Sequence, residues 1–177
     1  MINIRRSLCL AVVGLLGLGL LAHAGESATT VYLVRHAEKQ KGSDPSLTEA
    51  GGGRAETLAR VLSDAGIQAV YSTQFARTRE TATPVAVRLG LQVTITPIEG
   101  GLEPFVAAFT DRLAEEHAGQ SVLVVGHSNT LPALIKALGV ADAPSLTEED
   151  YDDLFVVTVG KLGGTRLMHL HYGTASP

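Results

Sequence analysis

Val122-Leu123-Val124-Val125 is an uninterrupted apolar run, entered from Ser121 and left through Gly126-His127. A strand that is apolar on both faces has to be covered on both faces, the situation of a central strand in a parallel sheet sandwiched by helices. Val31-Tyr32-Leu33-Val34 is a second such run, and shorter strands are expected at Ala69-Val70-Tyr71 and around Val93 to Ile95.

Between these strands the apolar period changes to that of a helix. Thr48 caps a helix in which Ala55, Leu58, Ala59 and Leu62 share a face and which ends at Gly66; Ala82, Val85, Ala86 and Leu89 mark a second, stopped by Gly90. Phe105 to His117 is a third, with Val106, Phe109 and Leu113 inward, and Leu131, Leu134, Ile135 and Leu138 mark a fourth. After an acidic segment, Glu148 to Asp153, two strands are expected at Phe155 to Val159 and Arg166 to Tyr172, joined by a turn at Gly163-Gly164. Alternating strands and helices of this kind give an α/β domain with helices on both faces of one sheet.

The first residues do not belong to that pattern. Arg5 and Arg6 precede an uncharged apolar run from Leu8 to Leu21, followed by Ala22-His23-Ala24, the order of a secretory signal peptide with its small-x-small cleavage triplet. The expected organisation is a signal peptide over residues 1–24 and one domain over 25–177, periplasmic or secreted, without stable membrane association after cleavage. An uncleaved anchor is the alternative reading of the same run. Cleavage removes two of the 14 basic residues and none of the 18 acidic ones, moving the formal charge from −4 to −6. Such an acidic chain offers no electrostatic footprint for nucleic acid, and no protein partner is indicated. The one cysteine, Cys9, lies in the apolar run, so the processed chain has no disulfide, thiolate nucleophile or zinc-thiolate site.

Ligands of open α/β sheets sit beyond the carboxyl ends of the strands. The residues there are Arg35-His36-Ala37-Glu38, then Ser72-Thr73-Gln74-Phe75-Ala76-Arg77-Thr78, then Gly126-His127-Ser128-Asn129. Two guanidinium groups and two imidazoles gathered at one edge suit a tetrahedral dianion, because guanidinium forks onto its oxygens and imidazole can attack or donate.

These three elements resemble the histidine phosphatase superfamily, also called phosphoglycerate mutase-like. Arg35-His36-Ala37-Glu38 corresponds to its Arg-His-Gly/Ala-Glu signature, joined by Tyr71-Ser72-Thr73 with Arg77-Thr78 and Thr81-Ala82, and by Val124-Val125-Gly126-His127-Ser128. The resemblance runs from about Val31 to Tyr172. It implies a three-layer α/β/α sandwich with a mostly parallel central sheet, and a phosphatase acting on a small phosphorylated substrate. It also implies His36 as the nucleophile forming a phosphohistidine, with Arg35, Arg77 and His127 binding the phosphoryl group.

Family members often use an acidic residue to protonate the leaving oxygen. Here Glu99 follows the third strand most directly and Glu103 lies beside a helix start; both stay open, Glu103 first. Ser72 supports the phosphate pocket or terminates its strand. Ser128 follows a buried strand but lacks the Gly-x-Ser-x-Gly elbow, so hydrogen bonding near His127 or helix capping is expected of it. Glu38, Lys39 and Ser43 lie in the loop after His36, where solvent-facing roles compete with substrate contact. His117 is expected to meet its helix's carbonyl terminus. The segment Glu148 to Asp153 is a solvated loop or short helix, able to form a rim that repels highly anionic substrates. His169 and His171 share a strand face with no third ligand apparent, so no metal and no cofactor are expected.

A mutase must shelter its phosphoenzyme under closing segments, for which this chain has little room. The remaining alternatives are a protein phosphohistidine phosphatase, which suits the size but not an exported location, and a non-catalytic phosphate-binding module of the same fold.

Overall fold

Four strands run parallel because each is followed by a helix that returns the chain to the starting edge. The computed structural model describes residues 28–160 and 164–176. Its elements are β1 (Thr29–Arg35), α1 (Glu49–Val61), β2 (Ile67–Ser72), α2 (Ala76–Leu89), β3 (Val93–Ile95), α3 (Leu102–Glu116), β4 (Ser121–Gly126), α4 (Thr130–Ala137), β5 (Asp153–Val159) and β6 (Thr165–His171). They form a six-stranded sheet in the order β3-β2-β4-β1-β5-β6. Strands β3, β2, β4 and β1 are mutually parallel, whereas β5 runs antiparallel to β1 and β6 antiparallel to β5. The expected mostly parallel sandwich is present. The expected signal peptide, residues 1–24, lies outside the described residues, as does most of the Gly163-Gly164 turn.

Both faces of β4 are buried, as its apolar run requires. On one face Val122 and Val124 pack with Val31, Leu33, Phe155 and the inward residues of α3 (Phe105, Phe109, Leu113) and α4 (Leu131, Leu134, Ile135). On the other, Leu123 and Val125 pack with Val34, Val70, α1 (Leu58, Ala59, Leu62) and α2 (Ala82, Val85, Ala86). Truncating a fully buried Leu such as Leu123 to Ala in such a core costs about 2–5 kcal/mol.

The helix boundaries follow local chemistry. Thr48 caps α1, its hydroxyl accepting from the Gly51 amide at 3.1 Å. The helix stops at Val61, earlier than Gly66, because Ser63 and Ala65 turn the chain with bonds to Arg60 and Leu62 carbonyls. Gly90 ends α2 in the left-handed conformation (φ 68°) that glycine adopts without strain. Helix α3 begins at Leu102, three residues before Phe105. No described helix is long and apolar enough to cross a membrane.

Candidate active site

The sheet order sets the site. Strands β1 and β4 are neighbours in parallel register, Arg35 opposite Gly126, so the residues that follow, His36 and His127, emerge side by side. Their rings stand edge to face with centroids 5.4 Å apart, and both residues are buried. Strand β2, on the far side of β4, ends at Ser72 and delivers the loop into α2 that carries Arg77.

His36 is oriented by its own loop. Its Nδ1 lies 2.8 Å from the Ala37 carbonyl, which can only accept, so Nδ1 carries the proton and Nε2 keeps a lone pair. The Ala37 amide donates to Thr81 Oγ1 at 3.0 Å, and Thr81 donates to the Arg77 carbonyl at 2.8 Å, locking the loop to α2. Burial lowers the His36 pKa to about 4, with the Arg35, Arg77 and Lys39 charges acting in the same direction and the Ala37 hydrogen bond opposing. Burial and the Arg77, His36 and Arg35 charges lower that of His127 to about 3. Both imidazoles are neutral at pH 7. His127 Nε2 is engaged by Thr73 Oγ1 at 2.9 Å, and Thr73 in turn meets Thr78 Oγ1 at 2.8 Å.

A cleft of about 560 Å³ opens on these groups, lined by His36, Arg77, His127 and Ser128 together with Lys39, Gln74, Phe75, Ile98, Asn129 and Glu148. The Arg77 guanidinium lies over the Phe75 ring, 4.4 Å from its centroid, and 3.7 Å from Asp44. Arg35 is fully buried and turned toward the segment before β5. Its Nη1 donates to the Thr147 and Asp150 carbonyls at 2.9 and 3.3 Å, its Nη2 to Glu148 at 3.0 Å, and it stacks on Tyr151 at 4.4 Å. The Nε–H of each arginine is buried without an acceptor, two donors whose desolvation nothing in the described protein offsets.

Of the four residues expected at the strand ends, His36, Arg77 and His127 line one cleft, whereas Arg35 is buried beside it with both Nη atoms engaged by the segment before β5. Ser72 is buried and donates to the Thr73 carbonyl at 2.9 Å, beneath the site rather than in its wall. Of the two roles expected of Ser128, hydrogen bonding near His127 is the one present: it lines the cleft and donates to Glu148 at 2.7 Å, while Asn129 holds the N-cap position of α4. Neither expected acid lines the cleft. The early start of α3 puts Glu103 in its first turn, exposed in a groove beside α4 with Ala133 and Lys136, and Glu99 is an exposed loop residue. Glu148, expected in a solvated rim, is the one carboxylate among the described lining residues.

Glu38 is neither solvent-facing nor in the cleft. Its carboxylate takes a bidentate pair from Arg54 of α1, Nε at 2.9 Å and Nη2 at 2.7 Å, and Arg54 also donates to the Tyr172 carbonyl. Burial pushes the Glu38 carboxyl up, but the Arg54 hydrogen bonds outweigh it and hold the group below its usual range. The His117 ring avoids its helix's carbonyls: Nδ1 donates to Gln120 at 2.7 Å and Nε2 accepts from Tyr71 at 2.6 Å. Thr73, Thr78 and Thr81 stand within the second motif but carry no expected role there, and nothing local in the sequence marks Tyr151.

Residues 31–98 match the family model described as histidine phosphatase superfamily (branch 1). The same fold occurs in solved structures. The protein histidine phosphatase SixA complexed with tungstate is 23% identical, with 80% of this chain and 96% of that one covered at a TM-score of 0.64. A mycobacterial glucosyl-3-phosphoglycerate phosphatase is 17% identical, with 82% and 100% covered at 0.66. Mycobacterial hydrolase 1 is 18% identical, with 84% and 100% covered at 0.66. No curated protein matches the sequence. The chain thus has the α/β fold of the phosphoglycerate mutase-like proteins, and the segment carrying His36 and Arg77 matches the histidine phosphatase model.

Proposed function

We propose that this protein is a phosphatase that hydrolyses a phosphate monoester through a phosphohistidine on His36. The observation that carries the reading is the state of His36: a buried, neutral imidazole with Nδ1–H held by a carbonyl and Nε2 unprotonated, set between two arginines and a second histidine. Nothing about packing requires that combination, and a nucleophile attacking phosphorus does.

In the first step Nε2 attacks phosphorus, the N–P bond forms, and the P–O bond to the leaving group breaks with its electron pair on oxygen, which takes a proton from solvent. In the second, water attacks phosphorus and gives a proton back to solvent, the N–P bond breaks, and inorganic phosphate leaves as Nε2 regains its lone pair. Arg77, the orphaned guanidinium N–H groups and His127 counter the charge on the equatorial oxygens in both transition states.

One observation narrows the class of substrate. With Glu99 and Glu103 outside the cleft and Glu148 held ionised, the described lining supplies no carboxylic acid to protonate a poor leaving group. That arrangement suits substrates whose leaving group needs little help, which include phosphohistidine as well as activated monoesters. The signal-peptide pattern at Arg5 to Ala24 supports an exported enzyme and hence a small phosphorylated substrate.

The purified protein, mixed rapidly with an aryl phosphate and quenched in alkali, should retain a protein-bound phosphate that acid releases and that His36→Ala lacks. A panel of phosphate esters and phosphohistidine then ranks substrates. Phosphate binding with no turnover and no trapped phosphate would instead identify a non-catalytic module.

A further inference from the structure

The final hairpin brings together residues far apart in sequence. Asp153 opens β5 and faces His171, its register partner on β6, while His169 lies two residues back on the same face of β6. Asp153 Oδ1 is 2.5 Å from His169 Nε2 and 3.4 Å from His171 Nδ1, and the three donor atoms lie within 4.8 Å of one another. The expectation that these histidines lack a third ligand fails because the carboxylate comes from the neighbouring strand.

Asp153 is buried, and its ion-pair partners are the two imidazoles; no Lys or Arg pairs with it among the described residues. A buried carboxylate needs a cation or a full set of donors. Asp152 adds a second carboxylate on the same side, with Oδ2 3.4 Å from His171 Nδ1 and Oδ1 occupied by Ser176. Around a tetrahedral zinc ion, with bonds of about 2.0–2.1 Å, neighbouring donor atoms stand about 3.3 Å apart. The Asp153–His171 pair already has that spacing. The Asp153–His169 pair must open by about 0.8 Å to reach it, which requires the partly exposed His169 ring to shift over the Phe155 ring, 4.5 Å from it.

We propose that Asp153, His169 and His171 form a binding site for a divalent transition-metal cation, with zinc the best-fitting ion. Two imidazole nitrogens and one carboxylate oxygen are a zinc-type donor set, since calcium and magnesium prefer oxygen alone. Both histidines are exposed, so a fourth position opens to solvent. The cation ties the edge strand β6 to β5 at the edge of the sheet where β1 ends, beside the segment that carries Glu148 and Tyr151. Its role is to fasten that hairpin; the reaction at His36 does not pass through it.

Tag-free protein stripped with chelator, titrated with Zn²⁺ by calorimetry and with Co²⁺ by visible absorption, should bind one cation per chain, show tetrahedral cobalt bands and melt at higher temperature as Zn²⁺ is raised. In the His169→Gln/His171→Gln double variant, whose replaced side chains are exposed, affinity should fall at least tenfold and the thermal shift should vanish. His171→Gln alone should weaken binding to an intermediate degree. Zn²⁺ binding that persists unchanged in the double variant, or wild-type protein that takes up no cation and shows no thermal shift, overturns the site.

Discussion

Glu148 and Arg35 are joined by a charge-assisted hydrogen bond of 3.0 Å although 113 residues separate them, and the other Glu148 oxygen accepts from Ser128 at 2.7 Å. The two carboxylate oxygens thereby occupy, between a guanidinium and a hydroxyl, a place suited to the oxygens of an anionic ligand. The Ser128 hydrogen bond, with help from Arg35 and against some burial, holds the Glu148 carboxyl below its usual range. Glu148→Gln removes the competing charge and leaves the shape. Because the side chain is largely exposed, the gain is no more than about 1 kcal/mol, or roughly fivefold. Inhibition by inorganic phosphate should tighten by that factor; weaker inhibition would mean that Glu148 positions Arg35 instead of competing with the ligand.

Arg77 is the guanidinium most directly in the cleft wall, and its partner Asp44 is held at only 3.7 Å. Arg77→Ala should raise the barrier by roughly 2–4 kcal/mol, as removal of a charge-stabilising donor typically does. Steady-state kinetics on an aryl phosphate should show the loss mainly in kcat. His36→Ala should abolish turnover, and full activity in that variant would overturn the nucleophile assignment.

The acid limb of kcat/KM should fall near pH 4 rather than near the ordinary histidine value of about 6.5, because protonation of His36 removes the lone pair. The same shift acts on stability. Unfolded His36 takes up a proton as pH falls through about 6.5, the folded residue resists until about 4, and in that window the unfolded state gains up to about 1.4 kcal/mol per pH unit. His36→Asn should therefore flatten the loss of stability between pH 6.5 and 4, as followed by urea midpoints. An unchanged slope would place the acid sensitivity elsewhere.

Glu38 holds the nucleophile's loop against α1, and Gly51 lets the helix come close enough to do so. A Cβ at Gly51 would stand 2.1 Å from the Glu38 carbonyl oxygen, so the backbone would have to move. Glu38→Gln should cost about 1–3 kcal/mol through the weakened pair with Arg54. Gly51→Ala should cost a similar amount and also lower kcat, because displacement of Glu38 reaches His36 two residues away. Thermal melts combined with kinetics check both; a Gly51→Ala protein of unchanged stability would contradict the close approach.

How much of the fold and the site is legible in the sequence depends on how far apart the interacting residues lie. The apolar runs of β1, β2 and β4 and the helix periods are local, and each strand leads into a loop of the site, so the amino-acid order by itself is enough to bring His36, Arg77 and His127 together. The position of Glu103 goes astray because α3 starts three residues earlier than its apolar pattern indicates, and one turn of helix decides which way a side chain faces. Glu148 over Arg35 and Asp153 against His169 depend on the antiparallel return of β5 and β6. Composition shows those strands but not their direction or register.

The ladder between β1 and β4 does not stop at Arg35. The His36 amide itself donates to the Gly126 carbonyl at 3.0 Å, and the next residue along that strand is His127. The paired imidazoles are thus fixed at the central seam of the sheet, among the strands whose hydrogen bonds open at the greatest cost. Parts of the cleft wall that do not carry the Ala37–Thr81 and Glu38–Arg54 ties can change without loosening that seam. Diversification of what the cleft admits is thereby separated from preservation of what happens inside it.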